Sequence, residues 1–187
     1  GKTTLVEQFS SEFENYLYFN IELISDRTLL ESDIPLFQLM PLLFAQKNKS
    51  RIQGDTLIFI DEIQNSPRVV AKLRYFYEEL PDLYLIAAGS LLENVVDIHA
   101  SFPVGRVNYL PVRPCSFCEF LSATGHDGLF DFFKTPAYTA PLHKEIMGLF
   151  NQYCLVGGMP EVVQDFSENQ DFVSIDKIFS RLVRGYM

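Results

Sequence analysis

The stretch Thr56-Leu57-Ile58-Phe59-Ile60-Asp61-Glu62 decides how this sequence of 187 residues is expected to fold. Its first five residues form a continuous, largely apolar run, and two carboxylates follow at once. Such a run is typical of a strand that is buried on both faces of a parallel sheet. Ligands of open α/β sheets bind at the carboxyl ends of the strands, which makes Asp61 and Glu62 candidate site residues. A plainer interpretation stays open, since acidic residues also end strands and cap the helix that follows.

Helical and strand patterns alternate on both sides of this stretch. Ser66-Pro67 predicts the start of a helix, with Ser at the cap and Pro at the first helical position. Pro41 is expected to break or restart a helical pattern further upstream. Alternation of this kind indicates a parallel α/β sheet. The predicted strands are 16–23, 56–60, 83–88 and 107–112, and the predicted helices are 5–13, 32–48, 67–80 and 91–96.

The pattern changes near Pro114, where we place a boundary between a first domain, 1–114, and a second, 115–187. Ser116 and Glu119 have the spacing of a capping box, which predicts the start of a helix. Helical periodicity dominates after them, so the second domain is expected to be helical. Its main helical stretches are 142–156, 160–166 and the residues from 172 onward.

The first four residues, Gly1-Lys2-Thr3-Thr4, match the end of a Walker A loop that leads directly into a helix. In that motif backbone N–H groups at a helix N-terminus hold phosphate oxygens. Lys2 would add a positive charge for the β and γ phosphates, and the hydroxyl of Thr3 would bind Mg²⁺. Taken alone, these four residues are equally compatible with an ordinary surface turn.

Three further positions fit the chemistry of an ATP site. Asp61 would hold Mg²⁺ through water, and Glu62 would polarise the attacking water as a general base. Ser90 follows the next predicted strand and is a candidate γ-phosphate sensor, although it also suits a simple helix cap. Arg106 precedes the last predicted strand and is a candidate for stabilising transition-state charge, either in its own molecule or in a neighbouring subunit. A solvated arginine is the alternative.

Composition narrows the class of protein. The formal net charge of −9 argues against general nucleic-acid binding, which depends on basic contacts to phosphates. No apolar run is long enough to cross a membrane, and no signal-peptide pattern is present, so a cytoplasmic location is expected. Cys115 and Cys118 form a CxxC pair, but the remaining Cys and His residues lack the paired spacing of a zinc site. Metal binding at the cysteines is therefore not expected.

Five motifs together resemble the predicted prokaryotic ATPases of the AAA+ superfamily. They are GKTTL (1–5), LIFIDEIQNSP (57–67), LIAAGSLLE (85–93), FPVGRV with the following SF-x-EFL (102–121), and YCLVGGMPEVV (153–163). The resemblance implies a P-loop core with a helical lid, and in full-length members a C-terminal domain of unknown function, with suggested nuclease-like character. It also implies that the sequence is truncated at both ends and lacks the first central strand of the sheet. Residues 1–187 alone are therefore expected to bind ATP poorly.

The resulting hypothesis is an ATPase module that uses ATP and Mg²⁺ and couples hydrolysis to movement of the lid. Gly1, Lys2, Thr3 and Thr4 would contact the nucleotide, and Thr3 and Asp61 the metal. Glu62, Ser90 and Arg106 would be catalytic. A homo-oligomer or a protein partner is left open. Two alternatives remain, a P-loop kinase and a nucleotide-regulated scaffold with little turnover.

Overall fold

A parallel three-stranded sheet lies at the centre of the first part of the chain. The computed structural model describes residues 1–50, 55–89, 105–134 and 139–185. Among them, strands β1 (Asn15–Asn20), β2 (Thr56–Asp61) and β3 (Tyr84–Ala87) form one sheet in the order β1-β2-β3. Both neighbouring pairs are parallel. The prediction of a parallel α/β fold is therefore confirmed.

Helices cover both faces of this sheet, and β2 therefore buries side chains on both sides. Ile58 and Ile60 face a large apolar cluster that also takes in side chains of three helices, whereas Leu57 and Phe59 pack with Val6 on the opposite face. The side chains of residues 57–60 are all fully buried. The continuous apolar run at 57–60 thus has the two-sided burial that its sequence predicts. The helices are α1 (Lys2–Phe9), α2 (Ile24–Glu31), α3 (Leu36–Gln46) and α4 (Pro67–Glu79), with α1 on the Val6 face.

Helix α4 begins as its sequence predicts. Ser66 is its N-cap, and the side-chain oxygen of Ser66 accepts a hydrogen bond from the backbone N–H of Val69. Pro67 occupies the first helical position, where a missing N–H costs nothing. The helix then returns along the sheet from the end of β2 toward the edge where β3 begins.

Two expectations about local structure are wrong, and one helix was not expected. The predicted strand 16–23 ends at Asn20, and a short helix that the sequence did not indicate, α2, follows it. Pro41 does not interrupt α3 but lies inside it. The cost of a helical proline is about 3 kcal/mol, and burial of the neighbouring Leu39, Met40, Leu43 and Phe44 outweighs it.

The last predicted strand, 107–112, is not a strand. These residues are irregular and make no ladder with any described strand. Leu110 is 81% exposed, so the apolar pattern here lacks the neighbouring strand that would bury it. The predicted helix 91–96 lies outside the described residues.

The second part of the chain is helical. By its internal contacts the chain divides into one compact unit of residues 2–110 and another that contains residues 111–187 together with Gly1. The core of the helical unit is built around Phe120, Val156 and Phe166. Gly158 lies so close to the backbone of Cys115 that a Cβ atom would clash with it. Its helices are α5 (Phe117–Ala123), α6 (Asp127–Lys134), α7 (Ala140–Val156), α8 (Pro160–Asn169) and α9 (Phe172–Gly185).

The predicted capping box is present at the start of α5. Ser116 and Glu119 exchange the reciprocal side-chain and backbone hydrogen bonds that define it. Within the part of the chain that the structure describes, no helix is both long enough and apolar enough to span a membrane.

Candidate active site at the ends of β2 and β3

The start of α1 meets the carboxyl end of β2. The hydroxyl of Thr3 donates a hydrogen bond to Oδ2 of Asp61 over 2.8 Å, although 58 positions separate the two residues. The ammonium group of Lys2 donates to the carbonyl oxygen of Gly89, just beyond β3, at 3.0 Å. The helix is held in this position because Val6 packs against Leu57 and Phe59 on the sheet. The structure therefore brings Lys2, Thr3 and Asp61 together at one edge.

Asp61 is buried, with only 5% of its surface exposed. Its Oδ2 atom accepts from Thr3 and, at the longer distance of 3.5 Å, from the hydroxyl of Tyr18. Its Oδ1 atom accepts from the backbone N–H of Glu62 at 3.0 Å. All of these donors are neutral, and no Lys or Arg of the described ranges forms an ion pair with Asp61. A buried carboxylate with neutral donors alone is a favourable place for a cation.

Glu62 has an unusual backbone conformation. Its φ and ψ of 56° and 37° lie in the left-handed region, which a residue with a Cβ seldom adopts. This conformation turns the chain sharply out of β2 into a single 3₁₀ turn, Ile63–Asn65. The Glu62 carboxylate accepts a hydrogen bond from the side-chain amide of Gln64 at 2.6 Å. Left-handed backbone at such a residue is a form of strain that is often found at functional sites.

Backbone hydrogen bonds fix this turn to the end of β3. The N–H of Ile63 donates to the carbonyl of Ala88 at 3.0 Å, and the N–H of Ala88 donates to the carbonyl of Ile60 at 2.8 Å. Ser66 ties the other end of the turn to α2, since its hydroxyl donates to Glu31 at 2.6 Å. The turn that follows Glu62 is thus hydrogen-bonded both to the end of β3 and to α2.

Arg106 does not join this group in the structure. Its Nε atom forms an ion pair with Oε1 of Glu78 at 2.7 Å. Glu78 lies in the last turn of α4, roughly 16 Å along the helix axis from Pro67 at 1.5 Å per residue. Since Pro67 follows the end of β2 closely, Arg106 lies toward the opposite edge of the sheet from Asp61. The hydrogen bond that Arg74 donates to Glu78 and the charge of both arginines hold the pKa of Glu78 below its usual value.

Other predicted site residues are less informative. Gly1 and Thr4 are exposed at the start of α1. Ser90 lies outside the described residues, and so do residues 91–104, which follow it. Cys115, Cys118 and Cys154 are free thiols, and no group of three or more potential metal ligands occurs in the described ranges.

Sequence reasoning missed two side chains at the site. Tyr18 contacts Asp61 from β1, and burial, together with the charge of Asp61, raises the pKa of Tyr18. The period-two alternation of β1 was the available signal, because it puts Tyr18 on the α1 face of the sheet. Gln64 contacts Glu62 at the turn that follows β2, and no sequence pattern predicted that turn.

Comparisons with known proteins agree with the α/β fold. The family model for the AAA domain matches residues 1–121. A solved structure of a Walker-type ATPase from Pyrococcus abyssi is similar in fold, with a TM-score of 0.53 and 17% sequence identity. The similarity covers 100% of this chain and 65% of that one, so the chain spans slightly less than two thirds of the length of that ATPase. No curated protein sequence matches the chain significantly.

Proposed function

Because the chain belongs to the AAA-domain family, we propose that it binds ATP together with Mg²⁺ and hydrolyses the nucleotide. The AAA domain and the Walker-type fold support a nucleotide-binding ATPase module. The observation that carries the finer proposal is the hydrogen bond between Thr3 and Asp61, which joins the start of α1 to the end of β2. It puts a hydroxyl and a buried carboxylate side by side, which are the oxygen donors that Mg²⁺ prefers.

Each residue at this edge has a proposed task. The backbone of Gly1, Lys2, Thr3 and Thr4 and the positive end of α1 would hold phosphate oxygens, and the Lys2 ammonium would neutralise their charge. Thr3 and Asp61 would hold Mg²⁺, which supplies positive charge to the phosphate oxygens when it is bound. Glu62 would accept a proton from the attacking water.

The direct test is Glu62→Gln in the full-length protein, with Lys2→Ala beside it. Glu62→Gln keeps the size of the side chain but removes the base, so we expect kcat for ATP hydrolysis to fall by about 10²–10⁴. Affinity for a fluorescent ATP analogue should stay within a factor of a few. Lys2→Ala should weaken nucleotide binding itself. Unchanged hydrolysis by Glu62→Gln would make the general-base assignment wrong, and binding by the wild type without hydrolysis would favour the scaffold alternative.

We assign Arg106 to transition-state stabilisation in a neighbouring subunit. Its ion pair with Glu78, toward the other edge of the sheet, favours action outside its own molecule. Full-length Arg106→Ala and Lys2→Ala proteins should each be nearly inactive. A mixture of the two should regain activity if the arginine acts in trans, because an intact Arg106 would then face an intact Lys2. A mixture that stays inactive would point to action in cis, whereas wild-type activity of Arg106→Ala by itself would point to a solvated arginine. A homo-oligomer and a cytoplasmic location are part of the same proposal.

Residues 115–187 are proposed to act as a lid that responds to the nucleotide. The support is that this region has its own apolar core, formed by Phe120, Val156, Phe166 and their neighbours. Hydrogen exchange of α7–α9, measured on Glu62→Gln with and without MgATP, tests the coupling. Protection that is identical in the two states would contradict it.

A further inference from the structure

The carboxylate of Glu62 has a dedicated partner. The amide nitrogen of Gln64 donates to Oε2 of Glu62 at 2.6 Å, and both side chains are half-buried. We propose that Gln64 is a positioning residue, which fixes the direction in which Glu62 presents its carboxylate. This inference rests on the proposed role of Glu62 as general base.

The need for such a residue follows from the backbone of the turn. Three features fix the position of the Glu62 Cα atom. They are its left-handed conformation, the hydrogen bond that its N–H donates to Oδ1 of Asp61, and the hydrogen bond that its carbonyl accepts from the N–H of Asn65. None of these bonds fixes the side chain, in which three torsions separate the backbone from the carboxylate. A long, flexible glutamate would therefore sample several rotamers. The hydrogen bond from Gln64 selects one of them.

The chemistry of the donor suits a base. A carboxylate has two oxygens, so a bond from Gln64 to Oε2 leaves Oε1 available for water. The amide is neutral and does not titrate, whereas a cationic donor in its place would lower the proton affinity of Glu62 more strongly. Asp61 on β2 and Lys2 on α1 are charged side chains at the same edge. Gln64 thus orients the carboxylate without neutralising it.

Gln64→Ala in the full-length protein gives the first test. We expect kcat for ATP hydrolysis to fall roughly tenfold at every pH, while KM for ATP changes less than twofold, because Gln64 acts on Glu62, which is not among the residues proposed to bind phosphate. An exposed pair of the same type supplies the control. Gln164 donates to Glu168 at 3.1 Å on the surface of α8, and Gln164→Ala should leave both constants unchanged.

Gln64→Met gives a sharper test, because methionine has nearly the same length as glutamine but no amide N–H to donate. We expect kcat to fall about as far as in Gln64→Ala, with KM for ATP again within twofold, because the lost hydrogen bond, and not lost volume, frees the Glu62 carboxylate. Gln164→Met should leave both constants unchanged.

The outcomes separate this inference from the proposed function. Loss of activity in Glu62→Gln together with wild-type kcat in Gln64→Ala or in Gln64→Met would overturn the positioning role alone. Wild-type activity in Glu62→Gln would overturn both. If Gln64→Ala fails to fold, as judged by circular dichroism, the kcat of Gln64→Met decides. A merely structural role for Gln64 predicts wild-type kcat in Gln64→Met, which keeps the volume of the side chain.

Discussion

Asp26 and Lys47 form a buried ion pair, and replacing either residue should destabilise the protein. The loss of stability should be larger when Lys47 is replaced than when Asp26 is replaced. The Asp26 carboxylate accepts from the ammonium group of Lys47 at 2.8 Å on both oxygens, from the side chain of Gln46 at 2.6 Å and from the backbone N–H of Asn20 at 2.9 Å. The Asp26 side chain is 2% exposed and that of Lys47 is 23% exposed. The two charges therefore differ in their access to water.

This difference sets the expected magnitudes. Lys47→Met leaves a fully buried carboxylate with neutral donors only, and the loss of one partner of a buried pair costs about 3–5 kcal/mol. Asp26→Asn leaves an ammonium group that can reach water and that lies 4.5 Å from the centre of the Phe19 ring. We expect a smaller loss there, about 2–3 kcal/mol. Asp26→Leu with Lys47→Met removes both charges and should cost less than Lys47→Met alone.

The assay is equilibrium unfolding of the full-length variants in urea, followed by circular dichroism. Arg74→Met provides the control, because Arg74 pairs with Glu78 on an exposed helix surface, where such pairs contribute less than about 1 kcal/mol. Three results would refute the reasoning. They are a loss below about 1 kcal/mol for Lys47→Met, a larger loss for Asp26→Asn than for Lys47→Met, and a double variant less stable than Lys47→Met.

Two further predictions concern pH. The hydroxyl of Tyr16 is buried without a hydrogen-bond partner among the described residues, and burial, with smaller effects of Glu7, Tyr18 and Asp61, raises its pKa to about 12. The stability that the protonated Tyr16 hydroxyl contributes is fully present below pH 10, the pKa of an unperturbed tyrosine, and is lost as the pH rises through about 12. Tyr16→Phe should therefore resist alkaline unfolding better than the wild type. An equal midpoint of alkaline unfolding in the two proteins would contradict this. Hydrogen bonds from Ser66 and Arg27 lower the pKa of Glu31, so its contribution is present above its ordinary value of 4.5 and is lost as the pH falls. The stability difference between wild type and Glu31→Gln should therefore shrink in acid, and a difference that stays constant from pH 7 to pH 3 would be the contrary result.

The sequence predicted those parts of the fold that a local pattern determines. The run 57–60 is apolar at every position because it is buried on both sides, and Ser66-Pro67 carries its own cap and start signal. Strand β1, helix α4 and the capping box at Ser116 follow from patterns of the same kind. In each case the residues that form the element also carry the signal.

Features that depend on distant contacts were not predictable in this way. Helix α2 has only eight residues and buries two of them, so its periodicity is weak. Residues 107–112 have a strand-like pattern, but a strand also needs a neighbour with which to pair, and the sequence does not specify that neighbour. The ion pair of Arg106 with Glu78 depends on where the chain returns after residue 104. The contact between Gln64 and Glu62 depends on a turn whose left-handed start is unusual for glutamate.

Under the proposed role of Glu62 as general base, the left-handed backbone at position 62 means that selection for folding and selection for chemistry favour different residues there. Glycine or asparagine adopts this backbone at lower cost, so a sequence chosen for stability alone would drift toward them. Either change would remove the carboxylate, and a copy of the protein that had lost its catalytic task could gain stability at this position. The residue found at position 62 in relatives therefore indicates whether each still needs a carboxylate beside Asp61.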